Sequence, residues 1–267
     1  MTALPTEHAL DILNNGTIEI EGRLVDASNA TLRGVITLDE TEARCVYKPV
    51  RGERPLWDFP DGTLAGREYG AYLVSEATGW SLVPPTVLRV GPLGWGMVQL
   101  WIDEERQSTE PPIGFVPRRK VPQGWHRIAS AQDDDGRPYV LAHSDDAKLA
   151  RMAVFDAVVN NADRKGGHIL STVDDEVFGV DHGLTFHTDD KLRTVLWGWA
   201  GDPLPAEATE VLAKLRAAMD GGLGESLCEH ITAGEIRVLT DRIERLERRA
   251  RYPKPSPEWP ALPWPPM

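Results

Sequence analysis

The sequence predicts an α+β fold in two lobes: an antiparallel-sheet lobe over residues 1–102, a mainly helical lobe over 103–252, and a Pro- and Trp-rich tail over 253–267. Three observations predict it. Period-two alternation, as in Thr17-Ile18-Glu19-Ile20-Glu21, dominates the first hundred residues, which is the spacing of half-buried strands. The run from Leu149 to Val159 is apolar nearly all round, which is the signature of a buried helix. Two further helical patterns, Ala206 to Met219 and Ala233 to about Arg251, follow it, and 267 residues leave room for both lobes.

In chain order, a short helix over Ala9 to Leu13 is stopped by Asn14-Asn15-Gly16. Strands follow over Thr17–Val25, Leu32–Leu38 and Ala43–Lys48, with a turn at Ser28-Asn29-Ala30. Pro49 to Gly62 reads as a loop anchored by Trp57 and Phe59. Leu64 to Thr78 is a helix ended by Gly79, because Gly takes the left-handed conformation that closes a helix at least cost. Thr86–Val90 and Gly96–Ile102 are strands. Asp103 to His143 is the least regular part, with one short helix near Gly124 to Ala131 and an acidic turn at Asp133-Asp134-Asp135-Gly136. Ser144-Asp145-Asp146 caps the buried helix, on which Asp156 needs a partner in the adjacent turn. A short sheet region over Arg193 to Trp199 precedes the last helices, and the tail lies extended on the surface through Trp259 and Trp264.

A formal net charge of −12 argues against nucleic acid or an anionic membrane as the main partner. The local cluster Arg242, Arg245, Arg248, Arg249 and Arg251 is interleaved with Glu244 and Glu247 and reads as a solvated helix face. Cys45 and Cys228 are too few for a disulfide framework and are expected reduced and buried. No signal peptide and no membrane span is read, so the expected location is cytoplasmic.

The chemistry concentrates in Asn160-Asn161-Ala162-Asp163-Arg164-Lys165-Gly166-Gly167-His168 and Val180-Asp181-His182-Gly183. Two carboxylates on neighbouring loops suit phosphoryl transfer, one orienting a hydroxyl and one holding Mg2+. Asp163 is the candidate base, and the basic residue after it offsets phosphate charge. Asp181, between an apolar strand and a Gly turn, offers the oxygen ligand that Mg2+ takes. Lys48 at a strand end and Glu68 on the next helix form the pair that would fix an ammonium on phosphate. Each residue also has a plainer reading: a solvated Lys, a surface Glu, a capping or turn-forming Asp. His168 is the awkward member, since imidazole suits Mn2+ or Zn2+ better than Mg2+, and it can equally contact phosphate or bind nothing.

Tyr47-Lys48-Pro49, Arg67-Glu68, Asp163-Arg164-Lys165-Gly166-Gly167-His168 and Val180-Asp181-His182-Gly183 together resemble the phosphatidylinositol 3/4-kinase-like branch of the protein-kinase-like fold. The match is to an actinobacterial group of small proteins of unassigned substrate, and the HipA-type bacterial kinases are also similar. The resemblance implies a cleft for ATP and Mg2+, with Mn2+ as a further possibility. It implies that Lys48 contacts the α-phosphate and Glu68 holds it, and that Ser28, Asn29 and Thr31 form the phosphate-covering turn. Gln99, Leu100 and Trp101 fall at the hinge that meets adenine through its backbone, and Asp163, Arg164 and Lys165 form the catalytic loop. Asp181 and His168 are the metal candidates, although the family has Asn where this chain has His168 and usually His where it has Lys165. The segment His187-Thr188-Asp189-Asp190-Lys191 lacks the basic cluster that would greet a phosphoinositide headgroup, which turns the expectation toward a hydroxyl on a protein or small molecule. The alternative is a nucleotide-binding pseudokinase with a regulatory role.

Overall fold

Residues 4–24, 29–103, 111–172 and 174–267 are described in the computed structural model of the chain. Helix α1 (Thr6–Asn15) leads into strands β1 (Thr17–Arg23), β2 (Leu32–Leu38) and β3 (Thr41–Pro49). Helix α2 (Leu64–Thr78) then precedes β4 (Thr86–Gly91) and β5 (Gly94–Leu100). The five strands form one antiparallel sheet in the order β1-β2-β3-β5-β4. Alternation drives one face of it onto α1: Ala43, Cys45 and Tyr47 of β3 are buried with Ile12, Leu13, Ile36 and Val98. Helix α2 begins at Thr63, whose side chain accepts from the Gly66 amide, and ends at Gly79 with φ +71°.

The expectation of an irregular stretch before the buried helix is corrected. Strands β6 (Ile113–Pro117), β7 (Trp125–Gln132) and β8 (Pro138–Ser144) make a second antiparallel sheet in the order β6-β8-β7. The expected helix over Gly124 to Ala131 fails because Gly124 takes φ +80° and the residues after it pair with β8. The acidic turn is the hairpin connection itself: Asp133 Oδ1 accepts from the amides of Asp135 and Arg137, with Gly136 at φ +75°.

Helix α3 (Ala147–Val159) starts at Asp146, whose Oδ1 accepts from the amides of Lys148 and Leu149. Leu149, Phe155 and Val159 on it are fully buried. The short strands β9 (Ile169–Ser171) and β10 (Val177–Gly179) pair after it. Helices α4 (Ala206–Met219), α5 (Gly222–Leu227) and α6 (Ala233–Arg249) complete the helical part and share its core with α2 and α3. Helix α5 is too short to have left a periodic signal. The sheet expected over Arg193 to Trp199 reduces to a parallel bridge between Arg164 and Thr194 and a 3-10 turn over Trp197–Trp199.

Two anchors and one cysteine differ from expectation. Trp57 is 85% exposed while Phe59 is buried. Trp264 is 88% exposed, while the other expected anchor, Trp259, does hold the tail, its ring 4.4 Å from Lys191 Nζ, together with backbone bonds from Thr194 and Gly166 to the Ala261 and Pro266 carbonyls. Cys45 is buried, which pushes its thiol up to about 11, but Cys228 is exposed.

Candidate functional site

Strand register determines where Lys48 stands. Tyr47 pairs with Leu32 and Val98 and is buried toward α1, so period-two alternation turns Lys48 to the opposite face, where α2 runs. There its Nζ bonds Glu68 Oε1 of α2 and, at 2.8 Å, Asp181 Oδ1. Glu68 Oε2 accepts the His182 amide at 2.8 Å, so one buried carboxylate ties strand, helix and loop together. Burial draws the Lys48 ammonium down, but Asp181 and Glu68 outweigh it and hold it above its ordinary value. Lys48 keeps the Asp181 carboxyl well below the usual carboxylate range, although burial opposes it. Burial pushes Glu68 up, with Lys48 opposing. Of the two carboxylates that share Lys48, Asp181 is therefore the firmer anion. It sits half exposed at φ +60°, a left-handed turn that Asp tolerates better than most residues.

Asp163 lies in the loop after α3, where Asn160 closes the helix at φ +53° and Asn161 Oδ1 accepts the Asp163 amide. Its carboxylate faces Lys165 Nζ at 3.2 Å. Burial raises Asp163 above the ordinary Asp range, with Lys165 opposing, which suits a group that must accept a proton.

Arg164 does not face the cleft, which corrects the expectation that it sits beside a phosphate. It is fully buried, and all five guanidinium N–H groups find partners. Nε donates to Asp156 Oδ2 at 3.0 Å and Nη2 to Asp156 Oδ1 at 2.9 Å; Nη1 reaches the carbonyls of Val180 and His168, and Nη2 also reaches His182 Nε2 at 2.6 Å. The partner expected for Asp156 in the adjacent turn is thus Arg164, and the same guanidinium fastens the loop of Asp163 to the loop of Asp181. Gly179 makes room for it, since a Cβ there would stand 2.9 Å from Nη2. His182 went unread in the sequence, and burial lowers it well below the usual His range.

His168 Nδ1 lies 3.1 Å from the Asp163 carbonyl, an acceptor only, which assigns the proton to Nδ1. Burial lowers His168 to about 4, so the ring is neutral near pH 7 and Nε2 presents a lone pair. Asp181 Oδ2 faces that nitrogen at 3.5 Å. Two electron-pair donors turned toward each other without a proton between them suit a divalent cation. Among the described residues no group of three or more His, Cys, Asp or Glu gathers for a metal, so this is a two-donor set that leaves the remaining positions open.

The expected phosphate-covering turn is only partly described. Ser28 lies outside the described residues. Asn29 Oδ1 accepts the Arg54 amide at 3.0 Å, and Thr31 is buried one step beyond the Leu32–Tyr47 pair, level with Lys48. At the expected hinge, Gln99 is buried and its Nε2 donates to Thr86 Oγ1 at 2.9 Å. The Leu100 amide donates to the Pro85 carbonyl and the Trp101 amide to the Arg44 carbonyl, so these two N–H groups are already engaged within the fold. Arg67, quoted only as part of the Arg-Glu pair, proves to join α2 to α6 through Glu235 at 2.6 Å and to the Thr185 carbonyl at 2.8 Å.

No protein-family model matches the chain. A protein of Mycobacterium tuberculosis (strain ATCC 25618 / H37Rv), protein Rv2133c, is 47% identical over 272 residues, covering 99% of this chain and 97% of that protein. Two crystal structures of the Golgi casein kinase, one with Mn and ADP bound, share its fold at a TM-score of 0.54. They are 13% and 14% identical, covering 92% and 94% of this chain and 75% and 79% of theirs. The chain has a protein-kinase-like fold.

Proposed function

We propose a function from the premise that this chain belongs to the same family as the Mycobacterium tuberculosis protein Rv2133c: it is an ATP- and divalent-metal-dependent phosphotransferase acting on a hydroxyl of a protein or small molecule. The observation that carries this is Lys48 Nζ held between Glu68 of α2 and Asp181, with Asp163 fastened to the Asp181 loop through Arg164. The order Lys48, Glu68, Asp163, Asp181 supports a phosphatidylinositol 3/4-kinase-like site within that fold. The nucleotide lies between an N-terminal lobe of residues 1–102 and a C-terminal lobe of 103–252.

In this reading Lys48 neutralises the α-phosphate and Glu68 keeps its ammonium aimed there. Ser28, Asn29 and Thr31 cover the phosphates, while Gln99, Leu100 and Trp101 form the hinge segment that borders the base. Asp163 accepts the hydroxyl proton and orients the attacking oxygen. Lys165, beside it, places an ammonium near the transferring phosphate. Arg164 positions both loops from below without touching substrate. Asp181 and His168 would hold Mg2+ or Mn2+, which when bound adds positive charge against the phosphate oxygens; imidazole favours Mn2+ of the two. The Golgi casein kinase structure with Mn and ADP supports the nucleotide and metal parts.

The test is nucleotide-dependent thermal stabilisation and ADP release with Mg2+ and Mn2+, in the wild type, Asp163→Asn and Asp181→Ala. Stabilisation that survives in Asp163→Asn while turnover falls by about 10²- to 10⁴-fold supports the base. Equal turnover in that variant defeats it. His168 in place of Asn favours the second reading, a pseudokinase with a regulatory role, which requires stabilisation without turnover in the wild type.

A further inference from the structure

The arginine cluster of α6 is not a uniformly solvated face. Arg242 is 3% exposed, while Arg249, Arg251 and Lys254 lie open at the surface, and all four line a cavity of about 720 Å³ together with Arg245. None of Lys48, Glu68, Asp163 or Asp181 lines it. Five cations meet one carboxylate there, that of Asp190, so the cavity carries a net charge of +4 in a chain whose total is −12. Asp190 Oδ1 bonds Arg245 Nη2 at 2.9 Å but stands 3.9 Å from Arg242 Nε. That Nε has no hydrogen-bond partner among the described residues, although Arg242 donates to the carbonyls of Val158 and His187. A buried guanidinium with an unmatched N–H is costly, and because that Nε reaches no solvent, an anion in the cavity offsets its charge through space rather than by a direct bond. Burial also draws Arg242 down to about 10, with Asp190 opposing, which marks how poorly the protein itself matches this charge.

Much of the remaining wall is apolar, with Trp197, Leu246, Tyr252 and the prolines at 253 and 255, beside the polar Asn160 and Ser256. Trp197 is held rigid because its Nε1 donates to the Ala261 carbonyl at 2.7 Å. A volume of this size fits a small ligand, and a single phosphate dianion balances only half of the net charge. We propose that this cavity binds a small organic anion carrying two or more phosphate groups, at a site separate from the Lys48–Asp181 cleft.

The experiment is calorimetric titration of the full chain without divalent metal, at about 150 mM salt, where screening suppresses loose association. The probes are tripolyphosphate, a hexose bisphosphate and inorganic phosphate. The variants are Arg249→Ala/Lys254→Ala, at exposed positions that leave the fold intact, and Lys48→Ala in the cleft. The expected result is binding of the first two probes, weakened at least about tenfold in Arg249→Ala/Lys254→Ala and unchanged in Lys48→Ala. Loss of binding in Lys48→Ala would assign the probes to the cleft and overturn the proposal. So would unchanged affinity in the double variant, inorganic phosphate binding as tightly as tripolyphosphate, or dissociation constants above about 1 mM for both.

Discussion

Asp156→Asn is the most informative single change, because it removes a charge from the site without changing its shape. Asp156 and Arg164 are both 0% exposed, and the carboxylate accepts Nε, Nη2 and the Asn161 Nδ2 at 2.9–3.1 Å. With Asn in place the guanidinium becomes a buried cation without a counter-ion, which costs about 3–5 kcal/mol. Two effects reduce that figure: an amide oxygen still accepts one N–H, and burial already raises Asp156 against Arg164, so part of the charge is under strain. A net loss of about 3 kcal/mol follows. At about 2–4 °C per kcal/mol for a chain of this size, the melting temperature falls by about 6–12 °C. Calorimetry at pH 7 reads the shift, and nucleotide added to the folded variant reads the site. Arg164 also anchors the Val180 and His168 carbonyls, so nucleotide stabilisation shrinks along with the melting temperature. A drop under about 2 °C would refute the claim that this pair fastens the two loops.

Glu68→Gln should leave stability within about 1 kcal/mol, because burial penalises the carboxylate and Lys48 keeps Asp181, yet turnover should fall; a melting temperature lowered by more than about 5 °C contradicts this. His143 is buried, donates from Nδ1 to the Ser144 carbonyl and accepts the Gly198 amide at Nε2, and burial lowers it to about 4. The unfolded chain, with an ordinary His near 6.5, binds the extra proton between these values, so stability rises with pH from about 4 to 6.5, by up to about 3 kcal/mol from this group. His143→Gln should flatten that part of a melting-temperature profile, and an unchanged slope rules the group out. Gly166→Ala should cost under about 1 kcal/mol even though the new Cβ collides with Met267 Sδ, since a partly exposed Met can swing away; a loss above about 2 kcal/mol would mean the side chain is locked.

The first sheet was legible because its strands carry a clean period of two and its turns carry Asn and Gly. Helix α2 was legible to its last residue because Gly79 ends it. The second sheet was not, since charged and Pro-rich segments 113–144 show little alternation and pair only in three dimensions. The Lys48–Glu68–Asp181 grouping could be anticipated from residue type and order. Arg164 could not: in sequence it adjoins Asp163 and looks catalytic, whereas its burial depends on Asp156 eight residues back and on Gly179 leaving space. Nor does the sequence reveal that the Leu100 and Trp101 amides pair with the Pro85 and Arg44 carbonyls.

The bond from the Gly166 amide to the Pro266 carbonyl spans a hundred positions of chain. A ribosome adds roughly 5–20 residues per second, so the Asp163 loop waits on the order of 5–20 s after its own synthesis for the segment that closes against it. Asp156, Arg164 and His182 are all made well before that segment. The scaffold of the site can therefore assemble while translation continues, with the backing of its loop added later. Pulse-labelled nascent chains would carry a protease-sensitive loop at 165–168 that becomes protected only once residues 261–267 have emerged.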